Sequence, residues 1–177
     1  MKHYFTRLEE AMRANWERPA LGNYRGEEFT FGEVATNIAK LHVLYEAIGL
    51  KKGDKVALCS RNQANWAVAF LATMTYGAVP VPLLHEFKSS NIHHLVNHSE
   101  AKILFVDDVI WEGLSESEMP DLQAIIQVNT FKLLFAADEN IVQAREHLNE
   151  LFGRKYPMAF TPDALNYYED SADELAV

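Results

Sequence analysis

Residues 49–83 read GLKKGDKVALCSRNQANWAVAFLATMTYGAVPVPL, and this stretch decides the fold. Lys55 to Cys59 is a short apolar run between Gly53-Asp54 and the polar Ser60-Arg61-Asn62-Gln63. A continuous apolar run between turn residues predicts a strand covered on both faces. Trp66 to Tyr76 is too long for such a strand and is apolar on nearly every side, which predicts a buried helix. Gly77 is placed to stop it. Val79 to Val81, with Pro80 and Pro82, then predicts a second short strand. A strand, a covering helix and a parallel strand make a βαβ unit, whose crossover is right-handed in nearly all cases.

Working outward, residues 3 to 17 carry a helical period, with Phe5, Leu8, Met12 and Trp16 on one face and Pro19 as the stop. Ala20 to Tyr24 and Glu28 to Phe31 flank Arg25-Gly26-Glu27, which predicts a hairpin. Thr30 and Glu33 have capping-box spacing, so the hairpin runs into a helix. In that helix Val34, Ile38, Leu41, Tyr45 and Ile48 step by four and three, and Gly49 closes it. Downstream, the polar loop LHEFKSS precedes a helix that Ser89 or Ser90 can cap, with Ile92, Leu95, Val96 and Ser99 inward. Lys102 to Val106 predicts a buried strand stopped by Asp107-Asp108. Trp111 to Pro120 reads as a short helix and loop, and Ala124 to Val128 as a further strand. Asp138 can cap a helix with Ile141, Arg145, Leu148 and Phe152 on one face and Gly153 at its end. Strands alternating with helices predict an α/β fold: a mainly parallel sheet with helices on both faces and an N-terminal hairpin.

With 177 residues, the chain suits one domain with a real core. It is 49% hydrophobic and 23% charged, the composition of a soluble globular protein. Its formal net charge is −9 and no lysine or arginine cluster stands out, which argues against nucleic acid or a membrane surface as partner. No apolar run reaches membrane-spanning length, and the N-terminus lacks the apolar centre of a signal peptide. The single cysteine, Cys59, excludes an internal disulfide, and a reducing cytoplasm is expected. Cys59 reads as a small packed hydrophobe, with a catalytic thiol as the alternative.

Several elements now line up in order: Phe29-Thr30-Phe31 with Glu33-Val34, then Gly49 to Val56, then Asn62 with Asn65-Trp66. Gly77-Ala78-Val79-Pro80-Val81-Pro82-Leu83 and Ser99-Glu100-Ala101-Lys102 complete the set. None is specific alone. Together, at these gaps, they resemble the N-terminal part of the adenylate-forming acyl-CoA synthetases, the AMP-binding superfamily, over roughly residues 20 to 110. Asp173-Glu174-Leu175-Ala176-Val177 is similar to the family's lead-in to its phosphate-binding loop. The resemblance implies an ATP-dependent, Mg2+-assisted ligation of an acid, with a fatty acid as the expected substrate, to CoA. It also implies that the chain is an N-terminal segment of such an enzyme. The expected division is 1–162 as an α/β subdomain and 163–177 as an acidic linker with the start of a strand.

The chemistry of that family is not carried by the residues present. The eight glycines include no pair at dinucleotide-fingerprint or Walker-loop spacing. No Gly-x-Ser-x-Gly elbow and no His-Glu-x-x-His helix occurs. The family's phosphate loop, adenine-side motif, ribose aspartate, hinge and catalytic lysine have no counterparts here, so no catalytic or cofactor-binding residue is assigned and the chain alone is expected to be inactive. Loops at the carboxyl ends of parallel strands face the ligand crevice, and this nominates Arg61, Asn62, His85 and Glu86 as ligand-adjacent; an ordinary polar surface is the competing reading. His94 and His98 lie one turn apart, as a metal pair would, but no third ligand follows, so no metal is expected. Trp66 reads as a core anchor, and Tyr167-Tyr168 as docking residues of the linker. The alternative to a ligase segment is a stand-alone α/β module that binds a ligand or partner without catalysis. A truncated sheet would expose an edge, so a homodimer is expected.

Overall fold

The computed structural model describes residues 3–167. Helix α1 (Tyr4–Ala14) leads into the antiparallel hairpin β1 (Pro19–Gly22) and β2 (Glu28–Thr30). Helix α2 (Phe31–Ala47) follows without a break. The central unit is β3 (Lys55–Cys59), α3 (Ala64–Tyr76) and β4 (Val79–Pro82). Then come α4 (Ser89–Ser99), β5 (Ile103–Val106), α5 (Asp108–Trp111) and β6 (Ala124–Gln127). Strand β7 (Leu133–Ala136) and helices α6 (Glu139–Glu146) and α7 (Leu148–Lys155) complete the domain.

The main sheet has the order β4-β3-β5-β6-β7. The first four strands are parallel, in register Val56 with Pro80 and Ile103, and Ile103 with Ala124. β7 runs antiparallel to β6. Alternate strand residues feed two cores, as a sheet buried on both faces requires. Val56, Leu58, Ile103, Phe105 and Ile126 point to the layer of α1, α2, α3, α6 and α7. Ala57, Cys59, Leu104, Val106 and Ile125 point to α4 and the segment after α5, where Ile92, Val96, Met119 and Leu122 meet them. The edge strand β4 carries Pro80 and Pro82, residues that cannot extend a hydrogen-bond ladder and so blunt a sheet edge.

The βαβ unit, the hairpin and the capping box stand as the sequence predicts. Thr30 accepts from Glu33 N, and the Glu33 carboxylate takes Thr30 N at 2.8 Å. Gly49 and Gly77 close α2 and α3 with φ of 78° and 88°, backbone that a side chain would strain. Five details differ. Helix α1 ends at Ala14, before Pro19, because the Asn15 side chain donates to Ala11 O at 2.8 Å and competes with the helical ladder. Lys88, with extended backbone, precedes α4, so Ser89 and Ser90 are its first residues and cap nothing. Helix α5 starts earlier than Trp111 because Asp107 caps it. The helix expected from Asp138 to Gly153 bends at His147, which keeps Ile141, Ala144 and Leu148 all on the core side, and Gly153 lies inside α7. β7 has no counterpart in the sequence reading.

Beyond α7, residues up to 167 fold back over α1. Arg13 donates to Leu165 O at 2.6 Å and to Pro162 O at 3.1 Å. Leu165 and Tyr167 are buried there, and the Tyr167 hydroxyl reaches Met12 Sδ at 3.2 Å. Tyr168 and the strand expected to begin at Leu175 lie outside the described residues.

Candidate functional site

In a parallel sheet all strands deliver their carboxyl ends to one edge, and the crevice opens where successive connections leave in opposite directions. Here that point lies between β3 and β5, since β3 connects outward to β4 and β5 connects the other way to β6. Ser60-Arg61 ends one strand and Asp107 ends the other. Both Ser60 and Asp107 are buried, at 5% and 8% exposure. One Asp107 oxygen accepts Arg61 N at 3.2 Å and the other caps α5 through Ile110 N at 3.0 Å. An internal carboxylate thus takes the two backbone amides that an incoming anion would use.

All four residues nominated from the sequence sit at this edge. Arg61 and Asn62 are exposed in the loop after β3, and His85 and Glu86 are exposed in the loop after β4. His85 Nε2 lies 3.3 Å from Glu86 Oε1. The two loops are joined through Cys59, whose thiol points at Leu84 O at 3.7 Å. The four side chains share an edge, but none of the polar contacts among the described residues joins the first pair to the second. A second set of contacts closes the other side of the edge. Asn65 Nδ2 donates to Asn129 O at 2.8 Å and Gln63 Nε2 to Asn129 Oδ1 at 3.0 Å. Asn23, from the hairpin tip, accepts Ala64 N at 2.9 Å and so caps α3, which has no side-chain cap of its own. Leu84 and Val109 stand exposed beside these loops.

Cys59 is fully buried, and burial, together with the charges of Asp107 and Glu86, pushes its thiol up to about 12. A thiol so poised stays protonated, which removes the nucleophile reading. Trp66 is half-buried and stacks on Phe70 with ring centres 5.3 Å apart, a packing role. His94 and His98 stack on the exposed side of α4 at 5.8 Å, while His93 turns inward and accepts Ser115 N at 3.2 Å. Among the described residues no group of three His, Cys, Asp or Glu converges as a metal site.

The described residues do not fit a nucleotide triphosphate. Asp107, Asp108 and Glu86 put carboxylates at the carboxyl edge, and the amides at the crossing point are taken. The positive-φ glycines 49, 53 and 77 are at the opposite edge, where Gly53 N donates to Gly77 O at 2.8 Å. The sequence marks Asp107 only as a strand stop, and neither it nor Asn23 or Asn129 was among the nominated site residues. An aspartate directly after a fully apolar strand is the one signal that marks Asp107.

Fold and edge together define an open, doubly wound α/β protein whose parallel strands end on one edge. The chain belongs to the AMP-binding enzyme family, which it matches over residues 8–170. It is 35% identical over 60 residues to fatty acyl-CoA synthetase A of Dictyostelium discoideum, covering 34% of this chain and 9% of that protein. It is 24% identical over 166 residues to acetyl-coenzyme A synthetase 2 of Candida albicans, covering 86% of this chain and 25% of that protein. The crystal structure of the anthranilate CoA ligase AuaEII with anthranoyl-AMP superposes with a TM-score of 0.73 at 18% identity, over 99% of this chain and 30% of that one. The chain therefore spans a quarter or less of the curated relatives it matches here.

Proposed function

We propose that this chain is the N-terminal part of an ATP-dependent acyl-CoA ligase. In the whole enzyme a carboxylate attacks the α-phosphate of ATP, giving an acyl-adenylate and pyrophosphate. The thiol of CoA then displaces AMP and leaves the acyl-CoA. A fatty acid is the substrate, Mg2+ accompanies ATP, and the reaction runs in the cytoplasm. The family match over residues 8–170 carries this reading. Within the whole enzyme residues 1–162 act as a scaffold subdomain and 163–177 as the link to the phosphate-binding loop. Arg61, Asn62, His85 and Glu86 stand ligand-adjacent at the carboxyl edge. The internal saturation of Asp107 supports a segment that is inactive alone. No helix among the described residues is long and apolar enough to cross a membrane.

The test is pyrophosphate release. The 177-residue chain with ATP, Mg2+ and a series of fatty acids should release none. A longer product of the same reading frame, extended past Val177, should release it and then form acyl-CoA. Turnover by the short chain overturns its inactivity, and failure of the longer protein with every acid overturns the ligase assignment. A stop codon directly after Val177 would favour the stand-alone binding module. The reading includes self-association through the open sheet edge and the apolar surface that a missing remainder would cover, and a strictly monomeric sedimentation profile at high concentration would refute it.

A further inference from the structure

We infer that the recess between α2, α6 and α7 is a binding site for a phosphate-type dianion. It measures about 200 Å³. At about 30 Å³ per water molecule, that is room for about six or seven waters, more than a phosphate needs. Lys40 from α2 and Arg145 from α6 both line it. In a chain of net charge −9 this is notable, because no carboxylate lies within 4 Å of either cation among the described residues.

The remaining donors point the same way. Asn37 and Asn149 line the rim, and neither amide has a protein hydrogen-bond partner among the described residues. Arg145 uses only its Nε, which donates to Phe131 O at 2.7 Å, and its terminal nitrogens stay available. The Lys40 ammonium lies 5.7 Å from the centre of the Phe152 ring and has no hydrogen bond or ion pair among the described residues. Two cations and two amides lining one recess from three helices suit a tetrahedral oxyanion, with an arginine fork and a lysine point charge. The floor is apolar, made of leucines from α2 and α7, so charge in the recess is less screened than at the open surface. Phe131, whose carbonyl holds Arg145, has φ of 54°. A bulky residue in that region is strained, and such strain gathers where a neighbouring group must be held in place.

This inference does not rest on the ligase reading. It is tested on the 177-residue chain by titrating inorganic phosphate against the thermal midpoint and the 31P linewidth at constant ionic strength. Parallel titrations use glycerol phosphate, to separate a free phosphate from a phosphate ester, and acetate. Saturable binding of phosphate or its ester is expected, weakened about tenfold by Lys40→Gln. Arg145→Lys should weaken it too, and circular dichroism shows whether that variant keeps the fold without its Phe131 contact. Lys40 is half-buried with no hydrogen bond, so Lys40→Gln should keep the fold, which the same circular dichroism check reads. Absence of saturation, acetate binding as tightly as phosphate, or an unchanged affinity in Lys40→Gln overturns the inference.

Discussion

Replacing Asp107 by alanine removes a carboxylate that serves two backbone amides at once. The bond to Ile110 N caps α5, and the bond to Arg61 N joins the end of β5 to the end of β3. A hydrogen bond to a charged group contributes about 1.5–3 kcal/mol. At 3.0 and 3.2 Å both lie at the long end for charged acceptors, so the lower figure applies to each, and the loss should be about 3 kcal/mol. For 177 residues that corresponds to a fall of about 6–12 °C in Tm. Asp107→Asn keeps one carbonyl oxygen and turns an amide N–H toward the other donor, so it should lose about half as much. Urea unfolding followed by tryptophan fluorescence and circular dichroism measures both, and an unchanged slope would show that only the native bridge is affected. A loss below about 0.5 kcal/mol for the alanine variant would mean that the two amides find other acceptors. Equal losses for alanine and asparagine would mean that the cap contributes nothing separable from the charge.

Three further outcomes follow from buried groups. The His42 Nε2–H donates to Ala72 O at 2.9 Å and lies 3.0 Å from Thr75 Oγ1, and burial lowers the ring from 6.5 to about 4. The unfolded chain therefore binds the proton first, so stability should be level above pH 6.5 and fall as the pH drops from there toward 4, by up to about 3 kcal/mol; a His42→Gln variant with the same acid loss would refute this. Cys59, with its thiol held up to about 12, should react with a thiol reagent at pH 8 about a thousandfold more slowly in the folded chain than in urea, and equal rates would contradict the burial. A Cβ at Gly32 would lie 2.6 Å from Trp16 Nε1, so Gly32→Ala should displace the indole at a cost of about 1–3 kcal/mol with a shifted emission maximum, and an unshifted spectrum would show that the neighbours simply give way.

The parts of the fold that were legible in the sequence are those whose signal is local. The apolar run Lys55–Cys59, the all-round apolar helix before Gly77 and the Thr30–Glu33 box each depend on residues a few positions apart. β7 escaped notice because Leu133–Ala136 follows a turn without the usual glycine or proline, and its residues are each only half-buried beside β6, their antiparallel neighbour. The bend at His147 was hidden because its helical hydrogen bonds continue on either side, from His147 N to Gln143 O and from Leu151 N to His147 O. The candidate site was legible only as an edge. Parallel strands put Arg61, Asn62, His85 and Glu86 on one side without further information. The pairing of Asp107 with Arg61 spans 46 positions and depends on β5 lying next to β3 rather than next to β4, which no local pattern reveals.

The strap that crosses α1 has a consequence for how the chain is made. The Glu9 carboxylate, which accepts Tyr167 N, is separated from its partner by 158 positions. At about 5–20 residues per second, a ribosome takes about 8–30 seconds to add that length. Within this interval the strands emerge and can pair, the last of them ending at Ala136, yet the Met12 face of the first helix still lacks its cover. The earliest segment synthesised is thus among the last to be sealed. A nascent chain arrested short of Tyr167 should show a fully formed centre and a first helix still open to a chaperone or protease.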